Sequence, residues 1–90
     1  MDNAERIAAI EDILRADVDR AQVRYRSEAA KFRQIRQDIP SGIPHPDGVM
    51  RIRQSGEAHS AALAAYISAL KRFTDFVVKR VVPNDLNGNT

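Results

Sequence analysis

A chain of 90 residues with two histidines and neither cysteine nor tryptophan holds one small domain at most. It has no disulfide framework or thiolate metal site open to it, and His45 and His59 alone supply no metal-ligand spacing. The formal net charge of +2 hides a segregation: six acids and three bases in residues 1–23, seven bases and three acids in 24–53, four bases and three acids in 54–90. The opening MDNAERIAAI lacks a basic segment followed by an apolar run, and no uncharged apolar stretch reaches the length of a membrane span. A soluble, cytoplasmic protein is the expectation.

Residues 3–38 contain no proline or glycine and are rich in Ala, Glu, Arg and Gln. Their apolar positions, Ile7, Ile10, Leu14, Val18, Ala21, Tyr25, Ala29, Phe32 and Ile35, step by threes and fours, which is a helical stripe. Asp2 followed by Glu5 resembles a capping box with Asp in the cap position. Pro40 disfavours helical geometry at Ile39, so the first helix is predicted over 3–38. A turn at 39–47 follows, reading IPSGIPHPD, in which Pro40, Pro44 and Pro46 fix backbone dihedrals and Gly42 permits a positive φ. Asp47 is the expected N-cap of a second helix over 48–82, stopped by Pro83. Its stripe is Val49, Ile52, Gly56, His59, Leu63, Tyr66, Leu70, Phe73, Val77 and Val81. The polar tail, residues 83–90, is expected to fray.

Two helices of this length, each about 50 Å long, are predicted to fold back as an antiparallel, coiled-coil-like hairpin, an all-α fold. Facing the stripes gives layers that pair Ile39 with Val49, Ile35 with Ile52, Phe32 with Gly56 and Glu28 with His59. Tyr25 then meets Leu63, Ala21 meets Tyr66, Val18 meets Leu70, Leu14 meets Phe73, Ile10 meets Val77 and Ile7 meets Val81. Large residues oppose small ones, as facing positions must to fill space. A second row, Ala9, Ile13, Ala16, Val23 and Ala30 on one helix and Ala58, Ala61, Ala65, Ile67 and Phe76 on the other, lies outside this seam. An uncrosslinked two-helix hairpin is a weak unit, so hairpins are expected to pair as a two-fold dimer forming a four-helix bundle, or to dock on another helical protein.

Four groups are candidates for function. Glu28 and His59 form a polar layer that either fixes the register of the seam or makes a pH- or metal-responsive pair. Tyr25 and Tyr66 flank it as core filling or as the walls of a small pocket. The turn residues Pro40, Gly42, Pro44, His45, Pro46 and Asp47 make a stiff reversal or a recognition tip, and they lack the spacing of a phosphate loop. Arg24, Arg26, Lys31, Arg33, Arg36, Arg51 and Arg53 crowd the half nearest the turn, as a solvated face or an anion-binding surface. No nucleophile, base and oxyanion donors come together. No catalytic residue, bound metal or cofactor is expected, and the chain is not expected to be an enzyme.

The size and hairpin shape resemble the small WXG-type helical hairpins. Those carry Trp-x-Gly in the turn, whereas this chain reads Ile-Pro-Ser-Gly there, and the resemblance is not adopted. The expected function is a protein–protein interaction module: an oligomerising helical-hairpin scaffold, adaptor or regulatory subunit. The alternative is a nonspecific binder of polyanions, nucleic acid or an acidic surface, through the turn-proximal arginines.

Overall fold

Asp2 begins the fold as the sequence anticipates. Its carboxylate Oδ1 accepts a hydrogen bond from the Glu5 N–H at 2.7 Å, and its carbonyl accepts one from the Arg6 N–H at 3.0 Å. The first satisfies a donor that the initial helical turn leaves without a partner, and the second is the first bond of the helix itself. The computed structural model describes residues 2–38 and 46–86, with side chains of the second stretch from residue 48 onward. From the cap, α1 runs Asn3–Asp38 without a break. α2 runs Pro46–Lys79, and a 3-10 helix spans Asn84–Leu86. Phe32 touches the backbone at Gly56, and Leu14 clusters with Phe76 near the other end. The two helices are therefore antiparallel, in a rod of 63 × 21 × 19 Å.

α2 departs from expectation at both ends. It begins at Pro46, a residue suited to the first helical position because its missing N–H would be unsatisfied there and its φ is already helical. Asp47 thus lies inside the first turn, not at the cap. At the far end the helix stops at Lys79, three residues short of Val82, and Pro83 is not what stops it. Arg80 takes a left-handed conformation with φ of 59°. Its N–H donates to the Phe76 carbonyl at 2.9 Å, and the Val81 N–H reaches over it to the Asp75 carbonyl at 3.2 Å. This αL-type reversal satisfies carbonyls that would otherwise be orphaned. It also turns the chain back, so that Val82 and Leu86 pack on Ile10, Leu14 and Phe76. The Leu86 N–H donates to the Pro83 carbonyl at 2.9 Å. The Arg72 guanidinium holds both Asp85 carboxylate oxygens at 2.9 Å. The expectation of a frayed tail is corrected for residues 83–86; residues 87–90 lie outside the described part.

The stripe of α1 points inward as read: Ile10 and Leu14 are buried, and Ile7, Val18, Ala21, Tyr25, Ala29, Phe32 and Ile35 are half-buried. α2 keeps Gly56, His59, Tyr66 and Phe73 of the expected stripe against α1 and the core, but its other row is turned by one residue, from the line of Leu70 and Val77 to that of Ala62 and Phe76. Its buried side chains among the described residues are Ser55, Ala62 and Phe76, which fall on one line because they are seven and fourteen residues apart. Phe76, expected outside the seam, is 1% exposed, while Val77, expected against Ile10, is 39% exposed. Leu70, expected against Val18, is 38% exposed. Burying phenylalanine rather than valine removes more apolar area from water, at about 25 cal/mol per Å². The folded-back tail covers that same position. Small Ser55 and Ala62 on the same line let the two backbones approach.

Candidate functional site

The middle of the hairpin is an alternating stack of rings. His59 of α2 lies between two rings of α1, Tyr25 at 5.3 Å and Phe32 at 5.7 Å between centroids, nearly parallel to the latter at 12°. Tyr25 in turn stacks on Tyr66 of α2 at 5.9 Å. The order Phe32, His59, Tyr25, Tyr66 arises because each helix carries two of these rings one heptad apart. Residues seven apart return to the same face. Offset or tilted ring pairs at such separations add favourable energy beyond area burial. The layer pairs read from the sequence do not show this ladder, though the repeated seven-residue aromatic spacing is its visible signal.

Glu28 does not pair with His59. Its Oε1 sits 3.5 Å from Lys31 Nζ, one turn further along its own helix, and neither a hydrogen bond nor an ion pair joins it to the imidazole. Glu28 borders a shallow groove of about 500 Å³ with Ile35 and Asp38 of α1 and Arg51, Gln54 and Ser55 of α2. That lining mixes both signs of charge and offers no nucleophile beside a base. Among the described residues no three His, Cys, Asp or Glu side chains converge as a metal site would require. No buried polar side-chain atom there lacks a hydrogen-bond partner. Gly56 accepts the edge of Phe32 so closely that a Cβ built on it would lie 3.1 Å from Phe32 Cε2.

The turn candidates Pro40, Gly42, Pro44 and His45 lie outside the described residues, as do the side chains of Pro46 and Asp47. The basic candidates are all exposed, but they do not form one surface. Residues two apart on a helix point about 200° apart, so Arg24 and Lys31 run along one side of α1 while Arg26 and Arg33 run along the other. Lys31 is engaged with Glu28, and the Arg36 guanidinium lies over the Phe32 ring at 5.7 Å. A single stripe able to track a phosphate backbone does not result.

What the structure does expose is an apolar row on α2. Leu63 is half-buried, and beyond it Ile67 (57% exposed), Leu70 and Val77 follow at steps that keep them on one side of the helix. The same rotation that buries Phe76 turns Leu70 and Val77 out of the seam and leaves them beside Ile67. Across the hairpin, the Arg15 guanidinium lies over Phe73 at 5.8 Å from the ring centroid. No helix among the described residues is long and apolar enough to cross a membrane. No family model, curated protein or solved structure matches the chain.

Proposed function

We propose that this chain is a non-enzymatic protein–protein interaction module, a helical-hairpin scaffold, adaptor or regulatory subunit that acts by self-association into a four-helix bundle. The observation that carries the reading is the exposed row Ile67, Leu70 and Val77 beside an interior that holds, among the described residues, only four buried apolar side chains, Ile10, Leu14, Ala62 and Phe76. A hairpin with so small an interior and no cysteine gains much by covering a continuous apolar face. A second hairpin supplies the missing helices in the simplest closed symmetry. The test is light scattering on the eluting protein across micromolar concentrations, at low and high salt. A salt-resistant mass about twice the 10.1 kDa of one chain, falling to the single-chain mass in Ile67→Lys/Val77→Lys, supports the reading. A wild-type monomer at every concentration refutes it.

The polyanion reading draws support from Arg24, Arg26 and Arg33, which have no ion-pair partner among the described residues. It predicts DNA binding whose affinity falls with a log–log salt slope of about −3 to −4.5 for three to five phosphate contacts. Apolar helix pairing shows no such slope.

A further inference from the structure

We infer that the second copy docks face to face and end for end, with α1 against α1 and α2 against α2, in an orientation written into the charges of α1. The inference rests on the self-association reading above. Asp12, Asp19, Arg26 and Arg33 follow at seven-residue steps, so they form one line along the helix. All four are exposed. None forms an ion pair with a described residue, although Glu11, Arg15, Asp17, Arg20, Glu28 and Lys31 on the same helix all do. The line reads acid, acid, base, base. Reversed about its midpoint, between residues 22 and 23, it becomes its own complement.

An antiparallel second copy therefore sets Asp12 opposite Arg33 and Asp19 opposite Arg26, each pair occurring twice by symmetry. A parallel copy in register sets Asp on Asp and Arg on Arg. An antiparallel copy slipped by one heptad places Asp19 on Asp19 or Arg26 on Arg26. Like charges opposite one another disfavour each of these alternatives.

This line lies on the same side of the hairpin as the apolar row. Arg15, one turn from both Asp12 and Asp19, crosses to Phe73, and Phe73 is one turn from both Leu70 and Val77. The two helices also agree on where the two-fold axis passes. Phe32 sits against Gly56. Stepping back along α1 and forward along α2 by the same distance from that contact leads from residues 22–23 to residues 65–66. That level lies between Leu63 and Ile67. An axis there places Leu63 opposite Ile67 of the second copy and Leu70 opposite Ser60. One axis thus serves the charge line of α1 and the apolar row of α2.

The chain has no cysteine, so single-cysteine variants carry spin labels cleanly. In dimers labelled at Gln22→Cys the two labels are expected to lie close together. In dimers labelled at Ala8→Cys they are expected about 43 Å apart along the helix axes, from 1.5 Å per residue. Equal short distances at both sites overturn this arrangement while leaving the dimer standing; a monomer in light scattering overturns the self-association reading as well. Arg26→Asp/Arg33→Asp, which makes the line acid throughout, is expected to weaken the dimer about tenfold or more at low salt, from four exposed ion pairs lost and like charges opposed. Adding Asp12→Arg and Asp19→Arg restores the complement and is expected to recover affinity to within about threefold. Unchanged affinity in the double variant overturns the role given to the charge line.

Discussion

Truncating Phe76 and Val77 in separate variants decides whether α2 is rotated as the structure has it. Phe76 is 1% exposed and lies in one cluster with Ile10 and Leu14, with Phe73, Val82 and Leu86 packed around it. Phe76→Ala removes the whole ring from a site walled by both helices and the tail, and such truncations cost about 3–5 kcal/mol. A domain of this size has about 5–14 kcal/mol in total at 0.05–0.15 kcal/mol per residue. The variant is therefore expected to lose a large part of its stability and to melt at least about 12 °C lower, at 4–8 °C per kcal/mol. Val77→Ala removes two methyl-sized groups from a side chain that is 39% exposed in the hairpin. Its expected cost is about 1 kcal/mol or less. Urea titrations followed by far-UV circular dichroism, at one chain concentration for both variants, measure the two values. A Val77→Ala loss equal to or larger than that of Phe76→Ala would refute the rotated seam and restore the one read from the sequence.

Four further substitutions, at three positions, test other parts of the fold. Gly56→Ala gains helix propensity of about 1 kcal/mol but brings a Cβ to 3.1 Å from Phe32 Cε2, so the net change in urea midpoint is expected to be small. Gly56→Leu has nowhere to put its branch and is expected to lower the melting temperature by about 4 °C or more, from at least about 1 kcal/mol of overpacking. Arg80→Gly relieves a left-handed residue that carries a Cβ, at about 1 kcal/mol, and is expected to raise the melting temperature despite losing the guanidinium contact with Phe76 at 5.7 Å. Asp75 accepts a hydrogen bond from Lys71 Nζ at 2.6 Å, which, with the charges of Lys71 and Lys79, holds its carboxyl below the ordinary 3.8. The folded chain binds that proton less readily than the unfolded one. The stabilisation is thus complete above about pH 4–5 and is lost as pH falls through and below the unfolded value. Asp75→Asn is expected to flatten that small acid-side loss in melting temperature; an unchanged acid limb refutes the assignment.

The first helix was legible in the sequence to the residue, because everything that bounds it is local. A capping aspartate, 36 residues free of glycine and proline and a proline beyond the end leave no competing reading. The rotation of α2 was not legible, because the lines through Phe76 and Val77 are neighbours on one helix and both look apolar. Counting hydrophobic residues favours Leu63, Leu70 and Val77. What decides for Ala62 and Phe76 is the return of Val82 and Leu86 onto the core, which depends on one left-handed residue at Arg80. Nothing in a local pattern marks an arginine for that conformation. Phe32 against Gly56 was legible as a match of large and small. The Glu28–His59 layer was legible as a level of the hairpin but not as a set of partners. Once Tyr25 and Phe32 flank the imidazole, ring stacking occupies the space an ion pair would need, and Lys31 offers Glu28 a nearer countercharge.

The apolar cluster of the described residues joins the two extremities of the fold. Ile10 and Leu14 near the beginning of the chain meet Phe76, Val82 and Leu86 near the end, while nearer the reversal the buried side chains among the described residues are the small Ser55 and Ala62. Contacts between residues far apart in sequence repay the entropy of closing the loop only after that loop has formed. Zipping outward from the reversal therefore gains the ring ladder first and the apolar cluster only when the last turns engage. Folding of this hairpin is expected to be more cooperative, and slower, than its short connection suggests, and the loss of a few residues from either end of the fold is expected to release the whole of it.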